Sequence, residues 1–161
     1  MAKKRKQEQE VPEGYTPAQW AEYQTDPVGF CIKELNNPDS MVRFNAVDIL
    51  RGCAGDAKDA IPALCDLLGR EKEATVRAQC AWALKEICER VDDQSAARAV
   101  APLAKALGDT DPEVRALAAN ALGAIGEPAK SAKAELLKAR RDRHAEVREA
   151  VEEALEALDS P

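Results

Sequence analysis

The stretch Asp109-Thr110-Asp111-Pro112-Glu113-Val114-Arg115-Ala116-Leu117-Ala118-Ala119-Asn120-Ala121-Leu122-Gly123-Ala124-Ile125-Gly126 decides the fold. Within it Val114, Leu117, Ala118, Ala121, Leu122 and Ile125 recur at i, i+3, i+4, i+7, i+8 and i+11, which is one face of a helix. The same series returns three times. It reads Val42, Asn45, Ala46, Ile49, Leu50, Cys53, then Val76, Gln79, Cys80, Ala83, Leu84, Ile87, and finally Val147, Ala150, Val151, Ala154, Leu155, Leu158. Each copy opens on a Val-Arg pair, and successive pairs lie 34, 38 and 33 residues apart. A period of this length that carries helical faces predicts a stack of helical repeats.

Working outward, first helices are expected over 40–54, 74–90, 112–125 and 145–158, and second helices over 58–69, 95–107 and 129–141. Asp39 and Asp111 read as N-caps, with Pro112 at the first helical position. Thr16-Pro17 opens a short helix with Trp20 and Tyr23, and Asp26-Pro27 opens another through Phe30, Ile32 and Leu35. Five of the six aromatic residues fall in the first 44 positions, where they are expected to close the exposed end of the stack. A ligand groove at that end is the alternative. The last helix carries Glu149, Glu152, Glu153 and Glu156 away from its apolar stripe, as a solubilising cap requires. The second unit is longer around Glu89 to Ser95, an insertion of the kind that can belong to a binding surface. Pro102 should kink its second helix if residues 96–107 form one. The expected architecture is an all-α, right-handed α-solenoid of about three complete helix pairs with partial capping units. Residues 15–158 form the repeat domain, and residues 1–14 a polar tail with the basic run Lys3-Lys4-Arg5-Lys6.

Composition narrows the function. A net charge of -6 disfavours a general nucleic-acid binder. The five cysteines form no Cys-x-x-Cys pair, and Cys53 and Cys80 lie on the stripe, so they read as small core residues in a reducing compartment. His144 is the single histidine, which leaves no zinc set and no nucleophile–base arrangement. Phosphate-cradling glycine loops are absent from the sequence. So is any apolar run near the roughly 20 residues of a membrane span, or a signal-peptide core. No catalytic, cofactor-binding or metal-ligating residue is expected. The expected compartment is the cytoplasm, or the nucleus if the cell has one and reads Lys3-Lys4-Arg5-Lys6.

Residues 28–158 resemble the HEAT-repeat family, in the short form called lyase-type HEAT-like repeats, with 109–126 carrying the likeness best. The resemblance implies a ladder in which an acidic residue six positions before each Arg pairs with it and with backbone between neighbouring repeats. The implied pairs are Asp109 with Arg115 and Asp142 with Arg148, while Asn37 with Arg43 and Glu71 with Arg77 depart from the pattern. Recurrence in every unit gives these residues a structural role. Two enzyme classes occur on related repeats. Deoxyhypusine hydroxylase holds iron with several His-Glu pairs, which one histidine followed by Ala145 cannot supply. Bilin lyases share the repeats, but no residue here is specified as catalytic.

Two surface features remain. Trp82 lies about 200 degrees around its helix from the apolar stripe, where the other copies carry Asp48, Asn120 and Glu153. Burial against an adjacent helix is the plain reading, and a partner-binding residue the sharper one. Lys130, Lys133, Lys138, Arg140, Arg141 and Arg143 form a basic stripe that suits either an anionic partner or simply a solvated helix with cations near its C-terminus. The function expected is a non-catalytic protein scaffold or adaptor whose curved second-helix face binds an unidentified protein. The alternative is a binder of nucleic acid or another polyanion through the basic helix 129–143 and the N-terminal arm. A bilin-lyase-like component is the remote alternative.

Overall fold

The computed structural model describes residues 15–160; the basic run Lys3-Lys4-Arg5-Lys6 and the rest of the expected tail lie outside them. Helix α1 (Pro17–Thr25) starts from a capping box in which Thr16 accepts from the Gln19 backbone and the Gln19 side chain accepts from Thr16. Asp26 then caps α2 (Pro27–Glu34) by accepting from Gly29 N at 2.8 Å. Both helices open on a proline, which loses nothing at a position whose N–H has no helical partner.

From there two layers alternate. The Val-Arg helices are α3 (Ser40–Cys53), α5 (Ala74–Cys88), α7 (Pro112–Ile125) and α9 (Ala145–Asp159), each packed on the next. The second layer holds α4 (Ile61–Arg70), α6 (Asp93–Ala106) and α8 (Lys133–Ala139). Asp39 and Asp111 cap α3 and α7 as expected. The apolar stripe faces the second layer and the neighbouring units. Leu50, Leu64, Leu84, Leu103, Leu122 and Leu136 are fully buried between the layers, each contributing roughly 1.5–3 kcal/mol by leaving water.

The second layer departs from the expected ranges. Helix 129–141 is not one helix: a 3-10 stretch, Glu127–Ala132, precedes α8. The equivalent stretch Ala54–Ala60 precedes α4. Both follow a sharp turn at the same register, Ala54 at φ 48° and Gly126 at φ 72°, which stops the Val-Arg helix and sets the return angle. The longer second unit lacks this turn. Its extra residues instead let Asp92 cap α6 by accepting from Ser95 N at 3.0 Å, so the insertion serves a helix start. Pro102 lies inside α6 and denies the Arg98 carbonyl its helical donor. The thiol of Cys65, 4.0 Å away, donates to that carbonyl instead.

At the N-terminal end Tyr15, Trp20, Tyr23 and Phe30 form a cluster of ring contacts 5.3 to 6.4 Å between centroids. Closure is partial. A cavity of about 220 Å³ remains between these rings and the leading face of α3, lined among others by Gln19, Val42, Asn45 and Ile49.

Candidate functional site

Three of the four Val-Arg arginines, Arg43, Arg77 and Arg115, leave their helices in the first turn, at the seam between units, and the planar fork of each spans two units. Arg115 donates through Nε and Nη2 to Asp142 at 2.7 and 3.0 Å, and through Nη1 to the carbonyls of Asp109 and Thr110 at 2.9 and 3.3 Å. Arg77 does the same with Asp109, at 2.8 Å twice, and with the Glu71 and Lys72 carbonyls. Arg43 holds Glu71 at 2.6 and 2.9 Å and the Asn37 and Pro38 carbonyls. Each acidic residue also accepts the backbone N–H two positions on: Glu73 to Glu71, Asp111 to Asp109, His144 to Asp142. These are bidentate charge-assisted pairs, which orient as well as attract.

The expected pairing is therefore displaced by one unit. Asp109 does not pair its carboxylate with Arg115, nor Asp142 with Arg148; an arginine meets only the backbone of the residue six positions before it. Its carboxylate partner belongs to the unit that follows. The two apparent departures then have a physical reason. Asn37 precedes the first unit's arginine and has no arginine from an earlier unit to neutralise, yet its Oδ1 still accepts from Asp39 N at 3.0 Å. Glu71 is a full partner of Arg43. At the far end Arg148 donates to the Asp142 carbonyl at 2.8 Å and finds no carboxylate among the described residues.

Burial and pairing shift the acids in consistent directions. The Arg43 hydrogen bond, joined by backbone N–H groups, outweighs burial and holds the Glu71 carboxyl at about 2. Asp142 is lowered chiefly by Arg115. For Asp109 burial pushes upward, but Arg77 and the Asp111 N–H together leave it below its ordinary range.

The outer surface of the Val-Arg layer differs in kind. Trp82 is 40% exposed, so the plain reading of burial against an adjacent helix does not hold. Arg51, from α3, lies over its ring with the guanidinium carbon 4.3 Å from the centroid. Asp48 Oδ1 anchors Arg51 at 2.7 Å and accepts from Gln79 Nε2 at 2.8 Å. Beyond Trp82 a trough runs between α5 and α9, with Asn120, Gly123 and Ala124 along it and Lys85 and Glu153 at its sides. A Cβ built on Gly123 would lie 2.9 Å from the Ala154 backbone, so glycine is what lets α7 and α9 approach here.

The basic stripe is partly neutralised within the chain. Lys130 pairs with Glu127, Lys133 with Asp159, and Arg140 with Glu152 at 2.7 Å. Lys138 and Arg141 make no ion pair among the described residues, and Arg143 donates to His144. The stripe and Trp82 belong to different layers, as expected from the sequence.

The profile of HEAT repeats matches residues 28–97 and again 86–156. The chain belongs to the HEAT-repeat family. A search of curated proteins finds no match. Among solved structures it is similar to an engineered protein, with a TM-score of 0.66 and 28% identity, over 88% of this chain and 66% of that one. A second engineered protein gives 0.65 and 27%, over 91% and 41%. A designed armadillo repeat protein in complex with the peptide (KR)4 gives 0.71 and 21%, over 84% and 66%. The chain thus spans about two thirds or less of the length of these three.

HEAT repeats explain the ladder and leave Trp82 unexplained. Sequence reasoning missed Asp48, Arg51 and Gln79 as its neighbours. The signal was available in register: Arg51 sits three residues after Asp48, one turn along the same face, and Asp48 and Trp82 hold equivalent places in consecutive units. The cysteines are free, with Cys31, Cys65, Cys80 and Cys88 buried and Cys53 half-buried. Burial pushes the thiols of Cys31, Cys65 and Cys88 up to about 12, far from the thiolate form that nucleophilic chemistry needs. No helix among the described residues is long and apolar enough to cross a membrane.

Proposed function

We infer that this HEAT-repeat chain is a non-catalytic scaffold that binds a protein partner through the outer face of its Val-Arg layer. The observation that carries this reading is Trp82, exposed in a row that is otherwise polar. Arg51 covers one face of the ring and is itself held by Asp48. An exposed, pre-ordered aromatic is what interface hot spots are made of, because its contact area costs little side-chain entropy to use. This replaces the second-helix face as the favoured surface. A peptide bound to the designed armadillo neighbour supports the use of such stacks for peptide-like partners.

The polyanion reading is weaker because half of the basic stripe already serves α9 and its own layer. Affinity capture from the source cells separates the two. A specific protein should be retained by the wild type, lost with Trp82→Ala, and kept by a Lys133→Glu, Lys138→Glu, Arg141→Glu variant, all three folded by circular dichroism. Loss on the charge-reversed variant alone, with sub-micromolar nucleic-acid binding at physiological salt, would reject the scaffold reading, since non-specific contacts give roughly 10⁻⁴–10⁻⁶ M there.

A further inference from the structure

The ring of Trp82 already holds a cation. Arg51 crosses from α3 to reach it, and Asp48 fixes the guanidinium in place. With Arg51 seated, two fifths of the residue still faces solvent, so the indole keeps open surface for a second group. The rest of the face is rich in carboxylate. Glu89, Glu113, Glu146 and Glu153 are exposed, while the cations beside Trp82 are committed, Arg51 to Asp48 and Lys85 to Glu89 at 2.8 Å. Between Trp82 and the glutamates of α9, the trough over α7 carries only Asn120, Gly123 and Ala124. No long side chain on α7 blocks a main chain passing across it.

We propose that this face takes an extended peptide bearing two lysine or arginine side chains. One lies against the open part of the Trp82 ring, and the other among Glu149, Glu153 and Glu156, which share one depression on α9 with Arg140, already paired with Glu152, and with Arg148, so that the four carboxylates there still outnumber the two guanidiniums. The peptide backbone crosses α7 at Gly123 and Ala124. This names the partner chemistry of the surface assigned above and rests on that assignment. Arg51 shows the chemistry that the indole accepts, an electrostatic attraction of a cation to the ring face. The geometry also fixes a spacing. Two helix steps separate α5 from α9, each about 8–10 Å, and an extended chain covers roughly 3.3 Å per residue. The two cations should therefore stand about five or six residues apart.

Fluorescence anisotropy with the full chain and labelled twelve-residue peptides tests this. Three peptides of otherwise Gly, Ser and Ala carry two lysines six residues apart, two lysines adjacent, or two glutamates six apart. The six-apart lysine peptide should bind roughly tenfold more tightly than the adjacent one, because only it engages both sites at once. The glutamate peptide should not bind. Trp82→Ala and Glu153→Lys should each weaken the six-apart peptide by about three- to tenfold, with helicity retained. Equal binding of both lysine peptides, or no loss with Trp82→Ala, would overturn the proposal. A peptide of residues 1–14 binding this face more tightly than the six-apart probe would also overturn it, by making the chain's own basic run the occupant. If a cellular protein is captured through Trp82 while no lysine peptide binds, the scaffold reading survives and the cationic partner does not.

Discussion

Arg115 and Trp82 are both large side chains on Val-Arg helices, and the contrast between them is one of repetition. Arg115 has a counterpart in every unit. Trp82 has none, since its register is filled by Asp48, Asn120 and Glu153. The arginine edge is buried, bidentate and closed by backbone at each junction, whereas the tryptophan face is open and held by side chains alone. In a stack, a residue that recurs serves the junction that recurs with it. The place where the pattern breaks is where a single molecule's partner can be specified. The ladder thus explains why the most enzyme-like residues of this chain, its Arg–Asp pairs, should leave partner binding alone.

The largest expected effect sharpens that contrast. Arg115→Ala strands the Asp142 carboxylate in a half-buried seam and should cost about 2–4 kcal/mol in chemical denaturation. Arg43→Ala should cost about as much, because Glu71 gives it a complete partner. Nearly as large is the pH dependence. Glu71 is held at about 2 in the fold against an unfolded value near 4.3, so its contribution is fully present above about pH 4.5 and is lost as pH falls toward 2. Integrated, that is of order 3 kcal/mol, and Glu71→Gln should flatten this part of the stability profile. An unchanged acid limb in that variant would show that Arg43–Glu71 does not hold its junction.

Much of this was legible in the chain. The Val-Arg register, the caps Asp39 and Asp111 and the aromatic end follow from local spacing, because helix periodicity and capping are local physics. The ladder's direction was not legible. Along the sequence Asp109 lies six residues before Arg115 and Asp142 lies 27 after it, so chain distance favours the wrong carboxylate. Only the stack brings the distant one to the fork, while the near one turns its carboxylate to Arg77 of the preceding unit. Asn37 and Arg148 held the clue, since the two ends of the ladder are where a between-unit pair must lose a partner. The environment of Trp82 was hidden for the same reason, because Arg51 meets the ring, and Gln79 meets Asp48, only across the α3–α5 seam.

Smaller effects probe the rest of the contrast. Gly123→Ala should destabilise by about 1–3 kcal/mol, as its methyl group meets the backbone of α9. Ala54→Gly should stabilise by about 1 kcal/mol, relieving a positive φ at the turn where Gly126 stands in the third unit. Smallest of all should be Arg148→Ala, within about 0.5 kcal/mol because it strands no carboxylate. A loss from Arg148→Ala equal to that from Arg115→Ala would erase the distinction between closed and open rungs.

The claim that arginines join successive units is tested most directly by two double-mutant cycles sharing Asp109. One pairs Asp109→Ala with Arg77→Ala across the junction, and the other pairs Asp109→Ala with Arg115→Ala within the unit. The account predicts a coupling of about 1.5–3 kcal/mol for the first and less than about 0.5 for the second. A stronger coupling within the unit than across the junction would contradict it.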